Sequence, residues 1–557
     1  MKNPTTNKEQ IPTIPTPGPA GFESRTDTSE ATISPGPELA YDIEHVPVKN
    51  DPREWSNMRK NGSLVLIAFA SMIAALAANI QNPAVEEMEA DLPATSSQFS
   101  LSISLFILVQ GVMPLLWSAI SEVKGRKLVY VVSIALFTLG SIIVALSHRI
   151  GPVIGFRVLQ ALGSSAVMAI GAASLADIFD PEERGRKMGI YYVAPLLGPA
   201  LGPIFGGVLT SVWGWRAIFW FLTIDSGLVL VAFVVFFQDT FRRERSLTYQ
   251  KVLKRRLRSA ALQAVPTVKN CSVMENSGHE SKAKTDVDLE KNNPRNASES
   301  EVAAMPVITL SITDVNPFKP LVAVLRRKNN FLVLVSSGLL FSFAFILPYA
   351  TARTLGKFYR YSPLKIGLVT LSYGIGCVFG SILGGRRSDY ELARLKEANG
   401  GQSYPEMRLK TTMIGICCFP PCVLIYGWLC QQTVHVSVIC IFLFLSGFFS
   451  TWIYSITLAY IVDANTGMSS TAVAANSAFR GMAAFIGTEI AVPLQDGLGD
   501  GWLYTIWAGL MALTCAFMLL ICRKGEQWRN QAELRERAHE TRSAMTPSST
   551  IPPTNSL

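Results

Sequence analysis

Twelve apolar runs, each close to the ~20 residues that a helix needs to cross the hydrocarbon core of a bilayer, restrict this chain more than any single motif in it. They fall at about 62–81, 100–118, 128–147, 151–174, 189–211 and 216–237. After a long polar stretch they resume at about 331–351, 366–385, 411–430, 435–461, 471–494 and 502–522. Only 16% of the residues are charged, against about 25% in soluble domains. A segment inside lipid must satisfy its own backbone N–H and C=O groups, which leaves helices or closed barrels. Continuous apolar runs of this length are helices. The expected fold is all-α: a polytopic membrane protein with twelve transmembrane helices in two pseudo-symmetric six-helix halves.

The polar segments set the expected boundaries. Residues 1–60 are rich in Pro, Thr and Ser and read as a disordered N-terminal tail. They contain no early apolar region of a signal peptide, so the first span has to act as its own insertion signal. Residues 61–237 form the first half, 238–328 a central loop, 329–522 the second half, and 523–557 a C-terminal tail. The tails look short and unstructured. Orientation follows from Lys and Arg in alternate loops. The 2–3 turn carries Lys124, Arg126 and Lys127, the 4–5 turn Arg184, Arg186 and Lys187, and the 8–9 loop Arg386, Arg387, Arg394, Lys396, Arg408 and Lys410. The 1–2 loop on the other side is acidic, with Glu86, Glu87, Glu89 and Asp91. Both termini and the central loop are expected in the cytoplasm. The 7–8 loop, with Arg353, Lys357, Arg360 and Lys365, is the exception to the count.

Several function classes are disfavoured. The formal charge is +9, but much of it lies beside apolar runs, where it sets topology, so nucleic acid is not an expected partner. The cysteines form no CxxC pair and the five histidines are scattered through tails and loops. No metal, no cofactor and no catalytic activity are expected. The glycine-rich stretch GPALGPIFGG lies inside a span and lacks GK[ST], which argues against nucleotide drive.

Three stretches carry mechanism. In the 2–3 turn, Glu122 precedes Arg126 by four residues, beside Gly125 and Lys127; a pair there can reach Asp177 at the end of the fourth span and act as a gating latch. Arg157 lies inside the fourth span with Gln160 three residues on, on the same face; intramembrane arginines face a cavity or a partner. In the fifth span, Gly198-Pro199, Gly202-Pro203 and Gly206-Gly207 recur every four residues, giving a glycine face for close helix approach and prolines that bend or loosen the helix.

These residues resemble the major facilitator superfamily and, within it, the fungal drug:proton antiporter family with twelve spans. The family's loop motif G-x-x-x-D-x-x-G-R-K/R matches at Glu122, Gly125, Arg126 and Lys127, with Ser118 in place of the first glycine and Glu122 in place of Asp. Its fourth-span motif R-x-x-Q-G-x-G matches at Arg157, Gln160 and Gly163, with Ala161 in place of the first glycine. The fifth-span antiporter motif matches at Gly198, Pro199, Gly202, Gly206 and Gly207. NIQNPAVEEM, from Asn79, is similar to the family's first-span exit, and WGWRAIFWF, from Trp213, to its entry into span six. A degenerate loop motif recurs at Gly385, Asp389 and Arg394. The resemblance covers roughly residues 60–522 and implies an antiporter that exports a drug, a secondary metabolite or another small organic compound across the plasma membrane, exchanging it for protons.

The second half adds Asn476, Arg480 and Glu489 in span eleven. Nine helical residues separate Arg480 from Glu489, about 13 Å, so each needs a partner elsewhere. Asp225 in span six or Glu489 is a candidate proton site, and the expected coupling pairs Arg157 with such a carboxylate. Asn79, Gln160, Asn476 and Arg480 complete the proposed substrate and proton set. Tyr349, Tyr373, Tyr454 and Tyr460 can wall a cavity. Arg157, Arg480 and the basic 7–8 loop favour an anionic cargo mildly. The alternatives are a dedicated organic-acid or polyamine carrier, or a non-transporting nutrient sensor on the same fold. The expected partners are lipid, a small-molecule substrate and protons, and the expected state is a monomer.

Overall fold

A computed structural model describes residues 50–242, 318–402, 404–465 and 469–545, with 48, 245, 246, 249, 250 and 252 besides. Most of the expected N-terminal tail, most of the central loop and residues 546–557 lie outside the described residues.

The first span is Asn57–Leu76. Its exit continues through a tight turn, Asn82–Ala84, into a short helix, Val85–Asp91. The second span is Ser96–Val112 followed, after a 42° bend, by Pro114–Lys124. Pro114 cannot donate to the turn before it, which is where such bends form. Spans three to six are Arg126–Ala145, Ile150–Ile178, Pro181–Trp213 and Arg216–Val235. Spans seven to ten are Lys328–Lys357, Pro363–Ala398, Met413–Gln431 and Val436–Asp463. The eleventh and twelfth form one helical run, Ser469–Met545, broken at Gly499, whose φ of +79° suits glycine. Ten helices are long and apolar enough to span a bilayer; the bent pair adds one, and the break at Gly499 divides the longest into two. The described residues thus contain the twelve spans, and no strand.

Each half has its own apolar core. The halves meet along two antiparallel helix pairs. In the pair of spans two and eleven, Gly111 and Gly481 face each other so closely that a Cβ on Gly111 would stand 2.6 Å from the Gly481 Cα. Ser100 Oγ donates to the Thr488 carbonyl in the same seam (3.1 Å). In the pair of spans five and eight, a Cβ on Gly207 would meet the Pro363 carbonyl oxygen at 2.6 Å, Gly367 abuts Pro203, and Gly374 abuts Ala200. Small residues let helix backbones approach in this way. These contacts run from Gly207 to Gly374 and do not include the glycines nearer the end of the bundle that carries Arg126 and Arg386 (the basic face). Gly185, Gly189 and Gly385 there have open space beside them.

One expectation is corrected. Residues past Cys522 do not begin an unstructured tail: the helix of span twelve runs on to Met545. It is held on the basic face. Arg327, at the entry to span seven, donates from Nε and Nη2 to the two carboxylate oxygens of Glu536 (3.0 and 2.6 Å). Arg529 lies 3.6 Å from Glu406 of a short helix, Pro405–Lys410. The hydrogen bond to Glu536 pushes the pKa of Arg327 up.

Candidate functional site

At the basic face the structure brings Arg126 to Asp177 and to Asp239 and leaves Glu122 out. Arg126 opens span three and is 6% exposed. Its Nε lies 3.3 Å from Asp177 Oδ2, and its Nη1 donates to Ser121 Oγ. Glu122 takes no part: its Oε2 is buried and has no hydrogen-bond partner. The second acid is Asp239, just beyond span six, whose Oδ1 accepts the Arg126 backbone N–H (3.0 Å). Thr240 Oγ1 donates to Asp177 (3.4 Å), and Lys127 Nζ donates to the Val234 carbonyl (3.0 Å). Asp239 thus satisfies an orphan N–H at the positive end of a helix dipole. Gly125 makes room for it: φ is +91°, and a Cβ there would lie against the Asp239 carboxylate.

Arg157 is 0% exposed. Nη1 donates to the Ala77 carbonyl (3.2 Å) and to Gln160 Oε1 (2.7 Å), and Gln160 Nε2 donates to Ser141 Oγ (2.7 Å). Its guanidinium lies 4.1 Å from the Phe106 ring centre. Nε and Nη2 have no hydrogen-bond partner, and among the described residues no carboxylate comes within ion-pair distance. The expected pairing of Arg157 with a carboxylate is therefore absent here; the network ties spans one, three and four together.

The fifth-span glycines face span one. A Cβ on Gly198 would lie 2.6 Å from Ala75 Cβ, one on Gly202 would lie 3.3 Å from Ile80 N and 3.4 Å from Asn79 Cβ, and one on Gly206 would collide with the Ile80 carbonyl. Asn79 is buried in this seam. Gly207 points the other way, to span eight. The helix stays continuous through Pro195, Pro199 and Pro203, so the prolines do not break it. A small cleft lies between spans one, three, four and six, lined by Ala74, Phe137, Gly163, Ser164 and Ser226.

In the second half, the latch arginine is not Arg394, which is exposed, but Arg408. Its Nε lies 2.9 Å from Asp463, at the end of span ten, and its Nη1 lies 3.6 Å from Asp389. The pair Arg126–Asp177 is thereby repeated as Arg408–Asp463. The long 8–9 loop displaces the arginine from its motif spacing, which hid it in the sequence.

Span eleven presents Arg480 to the space between spans seven and ten. Its guanidinium lies 3.9 Å from the Phe341 ring centre and 5.2 Å from that of Tyr454, and Nη1 donates to the Tyr454 hydroxyl. Asn476 is 0% exposed, and both polar atoms of its amide have no partner. Glu489 accepts a hydrogen bond from Ser104 Oγ of span two (2.5 Å), a contact between the halves. Asp225 is half-buried and has no hydrogen bond or ion pair among the described residues. Tyr349, Tyr373 and Tyr460 are buried in the core; of the four expected wall tyrosines only Tyr454 remains accessible.

At the opposite face, the Glu86 carboxylate abuts Gly356 of span seven. Arg353 donates to Gln495 (2.8 Å) and to both oxygens of Asp496 (3.1 Å), with Lys357 at 3.8 Å from Asp496. Burial pushes the Glu86 and Glu89 carboxyls up, against the opposing pull of Arg353. On the same face Asp91 accepts from Trp215 Nε1 (3.0 Å) and Arg216 (2.6 Å), and these bonds hold its pKa down. That explains the tryptophan–arginine entry to span six.

A sequence model of the Major Facilitator Superfamily matches residues 67–488. The chain is 28% identical to the MFS antiporter QDR3 of Candida albicans over 576 aligned residues, covering 89% of this chain and 82% of that protein. It is 27% identical to Citrate exporter 1 of Aspergillus niger, covering 96% and 98%. Among solved structures, a bacterial homologue of the human lysosomal transporter Spinster, in an inward-facing and unoccupied conformation, aligns with a TM-score of 0.56 at 12% identity, over 86% of this chain and 98% of that one.

Proposed function

Because this chain belongs to the Major Facilitator Superfamily, we propose that it works as a proton-coupled antiporter that exports a small organic compound by rocking its two halves about a cavity between them. The named relatives include an antiporter and an exporter, and the glycine face of span five supports membership of the drug:proton antiporter branch. Both termini and the central loop lie in the cytoplasm of this reading, and the protein works as a monomer in the plasma membrane. The basic 7–8 loop no longer argues against that orientation, since Arg353 and Lys357 are engaged by Asp496.

One observation carries the coupling: Glu489 is an intramembrane carboxylate whose hydrogen bond crosses from one half to the other. A proton moves an equilibrium only through different affinities for its two states. When ionised, Glu489 accepts from Ser104 and holds the seam between spans two and eleven. Protonation replaces that charge-assisted bond with a weaker one and eases separation. Asp225 has no such contact. Arg126–Asp177 and Arg408–Asp463 act as paired latches on the cytoplasmic face. The test begins with a metabolite comparison of cells with and without the protein; a compound class retained on deletion identifies the cargo. In vesicles, Glu489→Gln is then expected to abolish uphill, proton-driven movement of that cargo while leaving exchange. Undiminished proton-driven transport in this variant contradicts the assignment.

A further inference from the structure

We infer that Arg480, Asn476 and Tyr454 form the anion-binding subsite of the cavity and that the cargo carries a carboxylate; this rests on the transporter reading above and names its substrate class. The two arginines inside the membrane differ in access: both bury donors that have no partner, Nε and Nη2 in Arg157 and Nε in Arg480, but only Arg480 is partly exposed. Arg157 is fully enclosed and bonded to Ala77 and Gln160. Arg480 is partly exposed, buries an Nε with no partner, and has no ion pair among the described residues. Its flat guanidinium is packed on Phe341 and bonded to Tyr454, which fixes its plane. A fixed fork of donors matches a carboxylate in two parallel bonds.

The second, independent observation is Asn476. It lies four residues before Arg480 and so on the same helix face. It is fully buried, yet neither its Nδ2 nor its Oδ1 has a partner. Buried polar groups are ordinarily paired, and an orphan amide beside an unpaired guanidinium is explained by a ligand that satisfies both. The amide N–H₂ can donate to the same carboxylate, and the amide oxygen can accept from a hydroxyl or protonated acid on the cargo. An uncompensated guanidinium repels a cation at this place, which separates this class from cationic drugs.

The test uses the purified full chain in detergent at constant ionic strength, with thermal unfolding as the readout. Acetate, succinate and citrate are the anionic probes and tetraphenylphosphonium is the cationic one. The expected result is that succinate or citrate raises Tm of the unmodified protein. Arg480→Gln should weaken that binding by about tenfold to a hundredfold, the range for a lost charged hydrogen bond. Arg480→Lys, which keeps the charge without the fork, and Asn476→Ala should fall between. If Arg480→Gln does not fold, Asn476→Ala and Tyr454→Phe decide: unchanged carboxylate affinity in both overturns the proposal. So does a carboxylate shift that survives Arg480→Gln, or a shift with tetraphenylphosphonium and none with any carboxylate. In that last case the transporter reading stands and only the cargo class falls. If carboxylates bind through Arg480 but no labelled succinate or citrate crosses the vesicle membrane, the subsite stands and the transport reading falls.

Discussion

The two halves use the same parts at different depths. In the first half the latch Arg126 is nearly buried, with Asp177 beside it and Asp239 beneath its backbone. In the second half Arg408 is more exposed, between Asp389 and Asp463. The membrane arginines diverge further: Arg157 is enclosed in a network within its own half, whereas Arg480 is partly exposed and framed by Phe341 and Tyr454. The contrast teaches that an intramembrane arginine is not by itself a coupling or substrate group. What separates the two is access: Arg157 is fully enclosed although its Nε and Nη2 have no partner, and Arg480 is partly exposed. Glycine-tight helix contact occurs in both halves: between spans one and five in the first, and between spans eight and ten in the second, where a Cβ on Gly376 or Gly380 would collide with the Phe444 or Phe448 carbonyl oxygen.

That comparison can be broken at several points. The largest effect is expected from Gly206→Leu, whose side chain would drive into the Ile80 carbonyl; overpacking costs typically 1–3 kcal/mol, roughly, and more against backbone. The protein should fail to reach the membrane folded, whereas Gly385→Leu, with open space beside it, should keep its thermal stability. Equal stability of both variants in purified form would show that the contact of Gly206 with span one is not needed for the fold. Next, Arg157→Ala should lower unfolding stability by about 2–4 kcal/mol through the lost packing and the stranded Gln160 amide, while Arg480→Gln should lower it by less than about 1 kcal/mol. A reversed order in thermal unfolding would exchange the roles assigned to the two arginines.

The smallest effect concerns the opposite face. Burial raises the Glu86 and Glu89 carboxyls above their ordinary value, so the closed arrangement binds protons more readily than an open or unfolded one. Its stability is then present at low pH and is lost as pH rises through the raised pKa. Glu86→Gln should flatten that dependence in a pH series of thermal unfolding. An unchanged slope would show that Glu86 does not titrate with closure.

Much of the architecture was legible because lipid demands so much of the backbone. Long apolar runs with six-and-six spacing identify the spans, and the loop, fourth-span and fifth-span motifs locate Arg126, Arg157 and the glycine face. Partners across sequence distance were not legible. Asp239 lies more than a hundred residues from Arg126, and nothing local distinguishes it from any acid at a span exit. Arg408 was hidden because the 8–9 loop lengthened the spacing that marks the motif in the first half. Ser104, the partner of Glu489, looks in sequence like any serine of an apolar helix. The helical extension to Met545 was missed because its charged composition resembles a tail; its order comes from Arg327 and Arg529, pairs that only the fold brings together.

The measurement that bears most directly on alternating access between these halves is a pair of spin-label distances in one protein. Gly185 and Gly385 mark the basic face of the two halves, and Gly151 and Gly497 mark the opposite face; all four have open space for a label, once the exposed Cys417 and Cys418 are replaced by serine. Shifting the proton and cargo conditions should shorten one distance and lengthen the other together. Two distances that move in the same direction, or that stay fixed under every condition supporting transport, would contradict the rocking of two halves about the seams of spans two with eleven and five with eight.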